Sequence, residues 1–599
     1  MIQTACPLDC FDGCSVVCDS SYPNKLVAGS GVPYTNGVLC AHLYKHMHES
    51  DRLTKPMVNG KEVSLSEALD AVAKALEDKP WLLWRGSGNL GAMQRVTNLL
   101  AKSANGVLTK GTLCDGAGDA GIVEGRGVNR LLPIEQVAKS EVVVFWGRNA
   151  TVTNSHIMPY VEGKEIVVID PVKTKLAKMA NLHLQVKPRS DFYLAILLSR
   201  FLMMEAAEDR EWLEKNASEY DEFYEFTRSF RIKAVLEHIG LSLNDIGDFL
   251  LMIQNKKVVF LVGAGLQRFD IGDSTLRAID SFAALLGLFG KEGCGVGFLA
   301  NSKLGFSDCF DVNVKKEPIA TTPFSKYSTV IVQGGNPAES MPCSNKVQEE
   351  LRGVDNLIYF GLYENETSKL ANIIIPAKNF LEKDDVKISY GHQYIQKMNK
   401  AYNSDIGISE YDFTQEILKR LNKEPIESLE YYLDFWLKQA VEIDGKLISP
   451  AFEEVPYANG FGENGGDEFE FIDDFYDDFE DIKALRRFRK KVKDKNKGLW
   501  LLTPKTHKSI NFQFSKPRAV VKISPELGIE SGKKVLIKSF WGELELETEV
   551  SSDLRDDTVV ISCGISGVNK LTPPISSIEG DMACYGDVKV NIEIANILT

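Results

Sequence analysis

No run of apolar residues in this 599-residue chain reaches the length of a membrane span. The best candidate, residues 194–204, has about half the required length and contains Ser199 and Arg200. No secretory leader is expected either. Four residues separate Met1 from Cys6, without a basic n-region, a twin arginine or an apolar h-region. These absences lead us to expect a cytoplasmic protein without direct membrane insertion, whose 11 cysteines stay out of disulfides in a reducing compartment. Excess positive charge is also absent: 69 Lys+Arg against 83 Asp+Glu give a formal net charge of −14. That balance argues against nonspecific nucleic-acid binding and leaves room for a cationic redox partner. The rest of the composition, 44% hydrophobic and 25% charged, suits a soluble globular chain of about three or four domains.

Cysteine is the residue whose distribution is uneven. Cys6, Cys10, Cys14 and Cys18 follow one another at x3 spacing, and Cys40 comes after a glycine-rich loop containing Gly29, Gly31 and Gly37. Thiolates are soft ligands for iron–sulfur clusters or zinc. A [4Fe–4S] cluster needs three sulfurs from a turning loop and a fourth from elsewhere, which Cys6, Cys10, Cys14 and Cys40 supply. Zinc sites favour paired C-x2-C knuckles, so zinc is the weaker reading. A radical S-adenosylmethionine loop has a shorter final gap and only three cysteine ligands. Cys18 either replaces Cys14 or is a small buried residue on a strand at 15–18. Cys294, Cys309, Cys343, Cys563 and Cys584 stand alone and read as packing residues.

Beyond the cysteines, residues 64–79 carry apolar positions at helical spacing (Leu65, Ala68, Leu69, Val72, Leu76), with Ser64 or Ser66 as N-cap and Glu67 in the first turn. Short β-rich runs follow at 81–84, 142–146, 165–169, 258–262, 329–332, 357–360 and 373–375. Such runs alternating with helices predict parallel α/β sheets, which bind ligands at the carboxyl ends of their strands. Two of these ends match. Gly147-Arg148-Asn149-Ala150 is followed by a phrase from Thr174 to Asn181, and Gly334-Gly335-Asn336-Pro337-Ala338 by one from Thr367 to Asn372. The match predicts a diverged duplication of a nucleotide-binding half. Residues 451–481 are acidic and aromatic and read as a solvated surface, with a basic helix expected over 483–497. From residue 499, short strands separated by turn residues predict a β-barrel.

In this order the motifs resemble the molybdopterin oxidoreductases of the dimethyl sulfoxide reductase superfamily. That superfamily includes formate dehydrogenases and nitrate, thiosulfate and polysulfide reductases. The resemblance runs from the cysteines through Asp51-Arg52-Leu53, Trp146-Gly147-Arg148-Asn149, Val168-Ile169-Asp170-Pro171, Gly263 to Arg268, Gly334 to Pro337 and Pro376 to Glu382, and ends in Leu501-Leu502-Thr503-Pro504. It implies molybdenum or tungsten held by two pyranopterin guanine dinucleotides. Asn149, Asp170 and Asn336 would contact those cofactors, and Thr503 and His507 would open a C-terminal domain capping the pterins. Cys114, in Gly111-Thr112-Leu113-Cys114-Asp115-Gly116, would ligate the metal. A single cluster motif then implies an external electron carrier or an iron–sulfur or flavoprotein subunit, and a small-molecule substrate.

Two positions depart from the family pattern. Asp115 stands where formate dehydrogenases place the histidine that handles the substrate proton, which lowers formate oxidation in rank. His42 stands where many relatives have a lysine linking cluster and pterin. The fold expected is a multidomain α/β chain. It comprises a [4Fe–4S] module at 1–60, a molybdopterin-binding α/β region with the metal-ligand loop at 61–320 and a second dinucleotide-binding α/β region at 321–450. An acidic-then-basic connector at 451–498 and a β-barrel at 499–599 complete it. The leading function is two-electron oxidation or reduction of a small substrate, with electrons relayed by the cluster. The alternatives are a non-catalytic electron-transfer or scaffold subunit, or a tungsten hydratase with Asp9, Asp12 or Asp115 as its acid.

Overall fold

The structure is a computed structural model that describes residues 1–19, 22–43, 52–77, 79–87, 91–473, 498–510 and 517–594. The expected basic helix at 483–497 lies outside the described residues, as do residues 474–481 of the acidic stretch. The chain divides into two compact units. Met1–Gly111 and Ser302–Phe452 build the first; Thr112–Asn301, Glu453–Ile510 and Lys516–Thr599 build the second.

The first unit is organised on an eight-stranded sheet in the order Lys316–Pro318, Gly106–Lys110, Trp81–Arg85, Thr329–Gln333, Asn356–Gly361, Ile373–Pro376, Met57–Val58, Lys61–Glu62. The first six strands are parallel, and the final hairpin joins antiparallel. Trp81 to Trp84 and Val330 to Val332 are buried on both faces, as expected for parallel strands under helices. One covering helix is Leu65–Leu76. Of the two N-cap candidates Ser64 takes the role, and it closes a capping box with Glu67: Ser64 Oγ accepts the Glu67 N–H and Glu67 accepts the Ser64 N–H at 2.8 Å. A separate antiparallel sheet, Ile2–Ala5, Ser15–Asp19 and Tyr22–Ala28, carries the N-terminal cysteine loop between its first two strands.

The second unit holds a five-stranded, all-parallel sheet in the order Leu182–Leu184, Glu165–Ile169, Val142–Trp146, Val258–Val262, Gly295–Gly297. The helix Gly272–Leu285 is buried from end to end and packs on Gly116–Arg126 and Asp191–Met204. The barrel is also in this unit. Six strands close in the order Leu499–Leu502, Thr558–Ile561, Val520–Ile523, Glu543–Val550, Lys534–Lys538, Lys589–Ile594. Alternate residues such as Val521, Ile523, Val535, Ile537, Val559 and Ile561 fill its interior.

The two parallel sheets share a hydrogen-bonding plan. Ile166 N–H donates to Asn181 Oδ1 and Asn181 N–H returns to the Ile166 carbonyl, each at 2.8 Å. Leu357 and Asn372 make the same reciprocal pair at the same distances. After the neighbouring strand, Gly147 N–H donates to Ile169 O and Gly334 N–H to Phe360 O, both 2.8 Å. Both glycines have positive φ, 62° and 59°, where a side chain would be strained. Asn149 and Asn336 then each stand at the N-cap position of a four-residue helix, without a side-chain cap.

The structure departs from the sequence reading in two respects. The eight-stranded sheet takes strands from either side of residue 320, so its partners are not contiguous in sequence. The acidic segment, as far as it is described, is only partly the solvated surface expected: Glu463, Asp467, Glu468 and Glu470 are exposed, but its aromatic residues are not. Tyr457, Phe461, Phe469 and Phe471 are buried, with Phe469 stacked on Phe289 and Phe471 on Phe223. Its aromatic rings, rather than its charges, decide where it goes.

Candidate active site

Cys114 follows the turn at Gly111 and immediately precedes the helix Gly116–Arg126. Its N–H bonds Thr112 Oγ1 at 2.8 Å. Its carbonyl accepts from Gln267 Nε2 at 2.6 Å, while Gln267 Oε1 accepts the Gly118 N–H at 2.7 Å. One amide therefore ties the cysteine to the first turn of the helix. A thiolate here faces the positive end of the helix dipole. The helix start is stripped of side chains by close packing. A Cβ on Gly116 would lie 2.2 Å from the Gly580 carbonyl, and one on Gly118 would meet Phe298 at 2.6 Å. The thiol also acts electrostatically on Tyr585, whose hydroxyl burial pushes well above its ordinary range, with Arg268 opposing. The Arg268 guanidinium lies over the Tyr585 ring at 5.4 Å. Asp115 occupies the N-cap position but makes no side-chain cap.

Asn149 and Asp170 lie at the carboxyl ends of adjacent strands of the same sheet. Asn149 Oδ1 accepts from Thr151 at 2.7 Å. Asp170 Oδ1 accepts the Val172 N–H at 2.8 Å. Burial pushes its carboxyl up to about 7, and Asp191 adds to the rise. The loop after Val258–Val262 links this end of the sheet to Cys114: its Leu266 would touch a Cβ on Gly147 at 1.8 Å, and its next residue is Gln267. Thr503 is half-buried and His507 exposed, on the turn after Leu499–Leu502. In the first unit, Asn336 Oδ1 accepts from Thr367 Oγ1 at 2.8 Å and from its N–H at 3.1 Å.

The cysteine loop also lies in the first unit. Cys6 N–H donates to Cys14 O at 2.9 Å, closing the loop at its neck. Burial raises the thiol pKa values of Cys6, Cys10 and Cys14; Cys10 reaches about 12, with Asp12 and Cys40 adding to the rise. Cys6, Cys10 and Cys40 each act on the Cys14 thiol, so these four cysteines share one electrostatic neighbourhood. Cys18 responds to burial, Asp19 and the N-terminus. It lies on Ser15–Asp19 and its Sγ donates to Asp19 O at 3.6 Å, apart from that set. Asp12 accepts from Tyr34 at 2.5 Å and Asp9 from Tyr390 at 3.0 Å. His42 is half-buried, just beyond Cys40. No disulfide joins any of the 11 cysteines. Among the described residues, no three His, Cys, Asp or Glu side chains are gathered as for a single metal ion.

A family model for molybdopterin oxidoreductases matches residues 52–417, more than half of the chain. The chain belongs to the molybdopterin oxidoreductase family. It is therefore an oxidoreductase enzyme, and the family implies a molybdopterin cofactor carrying molybdenum or tungsten. This molybdopterin oxidoreductase is 27% identical over 437 residues to the probable oxidoreductase YyaE of Bacillus subtilis (strain 168), covering 66% of this chain and 65% of that protein. The chain thus spans slightly less than two thirds of YyaE. It is 25% identical over 683 residues to the probable oxidoreductase YoaE of the same organism, covering 99% and 98%. Acetylene hydratase from Pelobacter acetylenicus has the same fold, with a TM-score of 0.74 over 99% of this chain and 100% of that one at 15% identity. No helix among the described residues is long and apolar enough to cross a membrane.

Sequence reasoning missed three residues around Cys114. Gln267 and Arg268 close the Gly263–Arg268 motif, so a signal was present. Tyr585 stands far along the chain with nothing to flag it.

Proposed function

We propose that this molybdopterin oxidoreductase carries molybdenum or tungsten on two pyranopterin guanine dinucleotides, with Cys114 as the protein ligand to the metal. The observation that carries the reading is the Cys114 loop. A cysteine at a helix start, held through its backbone by Gln267 and faced by glycines, can present a thiolate to a bulky cofactor. When bound, the metal centre supplies a two-electron couple for a small substrate, by oxygen-atom transfer or by formate-type oxidation. The chain's part is to hold and orient. The matched loops at Asn149 and Asn336 would each receive one dinucleotide, and Asp170 would meet a ribose hydroxyl. Thr503 and His507 would cap the pterins, and Asp115 would face the substrate pocket.

Cys6, Cys10, Cys14 and Cys40 would hold one [4Fe–4S] cluster that passes electrons singly to an external carrier, an iron–sulfur subunit or a flavoprotein, with His42 beside it. The donor set fits. A cubane binds each thiolate to a different iron, so its cysteines share a neighbourhood without meeting at one ion.

Anaerobic purification followed by metal analysis and a viologen-linked substrate screen tests the reading. We expect stoichiometric molybdenum or tungsten, iron and acid-labile sulfide, and dye-linked turnover that Cys114→Ala abolishes. A protein without molybdenum or tungsten would overturn it in favour of an electron-transfer or scaffold subunit. A tungsten-loaded protein that hydrates its substrate without dye turnover would place it among the hydratases.

A further inference from the structure

The cysteine loop is gripped by a second segment of the same unit. Gln396 donates its amide to Gly13 O at 2.8 Å, and His392 Nε2 lies 3.3 Å from the same oxygen. Tyr390 holds Asp9. Gly391 approaches so closely that a Cβ there would lie 2.0 Å from the Phe11 carbonyl. The loop is thus fixed from Asp9 to Gly13 by residues 390–396.

That segment also delivers a charge. In the strand pair Asp385–Lys387 and Gln396–Met398, Lys387 stands directly opposite Gln396, and cross-strand neighbours project from one face. Lys387 is 2% exposed. Because its cross-strand neighbour Gln396 holds Gly13, the residue before Cys14, the Lys387 ammonium lies against the cysteine loop, within electrostatic reach of Cys6 and Cys10. The nearby buried Lys383 pairs with Glu410, but among the described residues no carboxylate pairs with Lys387. Burying a cation without a counter-charge is costly. With a cluster bound, the thiolates of the cysteine loop would supply that counter-charge.

We propose that Lys387 is a positioning residue that tunes the iron–sulfur cluster: its ammonium offsets the negative charge on the Cys6–Cys10 side and raises the cluster's reduction potential. The proposal rests on the cluster reading of the four cysteines given above. Reduction adds one electron and so one negative charge, and a cation held nearby favours the reduced form. With His42 after the last cysteine instead of lysine, a distant strand supplies the cation.

The test is an EPR-monitored potentiometric titration of the anaerobically purified full-length protein as wild type, Lys387→Met and Lys387→Arg, with iron and sulfide measured on each. We expect Lys387→Met to keep its cluster but to lose about tenfold in the equilibrium constant for one-electron reduction, a fall of about 59 mV. Lys387→Arg should stay close to wild type. Loss of the cluster in Lys387→Met with retention in Lys387→Arg would also support the role of charge. A fully loaded Lys387→Met at the wild-type potential, or equal cluster loss in both variants, would overturn it. A wild type without cluster iron would overturn the underlying reading, and the proposal with it.

Discussion

The Gln267 side chain commits both ends of its amide to the Cys114 loop, one to the cysteine carbonyl and one to the Gly118 N–H in the first turn of the helix. Leucine at 267 would fill similar space and make neither bond. We expect Gln267→Leu to fold and to bind metal, but to lose about 10- to 100-fold in dye-linked turnover, because small displacements of a reacting group cost on that scale. Metal content measured beside kcat separates this from loss of cofactor. A second residue-scale expectation concerns pH. Asp273, near the start of the helix Gly272–Leu285, is buried with Oδ1 unpartnered. Burial pushes its carboxyl up to about 7. The unfolded chain releases that proton near pH 4 and the folded chain only near pH 7. The unfolded state therefore binds fewer protons in this window, and stability falls as pH rises through it. Asp273→Asn removes the slope. Its advantage over the parent should be absent near pH 4, grow to pH 7 and then level off, with about 4 kcal/mol as a ceiling. Urea unfolding at pH 5 and pH 8 measures it, and an equal effect at both would refute the assignment.

The parallel sheets depend on two asparagines that do the same work. Asn181 and Asn372 each satisfy both backbone groups of a residue at the entrance to a strand. Alanine at either position leaves a strand N–H without its acceptor. We expect about 1–3 kcal/mol of destabilisation from each of Asn181→Ala and Asn372→Ala, read as a lower denaturant midpoint. Similar losses at the two sites would reflect their matched geometry. Much at this scale was legible in the sequence. Runs such as 142–146, 165–169 and 258–262 are dominated by β-branched and aromatic residues and bounded by turn residues, and the structure places strands there. The repeated asparagine phrases were visible too, though not what the asparagines bond. The helix Asp191–Met204 was illegible for a physical reason. It is apolar on nearly every side, and without a polar face there is no 3.6-residue period to read. The strand Lys589–Ile594 that completes the barrel carries polar residues between its apolar ones and was passed over. Around the site, Cys114 announced itself by its glycine-rich loop, whereas Tyr585 and Lys387 reach their cysteines only through tertiary packing.

Sheet membership is a property of the whole molecule, and it is where reading the chain in order failed. Residues 81–110 and 316–318 supply three strands of the eight-stranded sheet, and residues 329–376 supply the three parallel strands beside them. A cut at the sequence boundary after residue 320 separates Trp81–Arg85 from Thr329–Gln333, a pairing in which Val330, Ile331, Val332 and Gln333 face Leu82, Leu83, Trp84 and Arg85. Both strands are central and buried, so each fragment would present an unpaired apolar edge, an arrangement that templates aggregation. Loop closure over the intervening residues costs little more than closure of a shorter loop, because its entropy grows only logarithmically with length. The intact chain can therefore afford the crossover. We expect fragment 1–320 produced alone to be insoluble, or to elute as large aggregates in size-exclusion chromatography. Co-production with 321–599 should recover soluble material that contains both pieces, because the missing ladder is then available. A monomeric, cooperatively unfolding 1–320 fragment would show that this region closes a core without the strands of 329–376, and would restore the contiguous domain boundary.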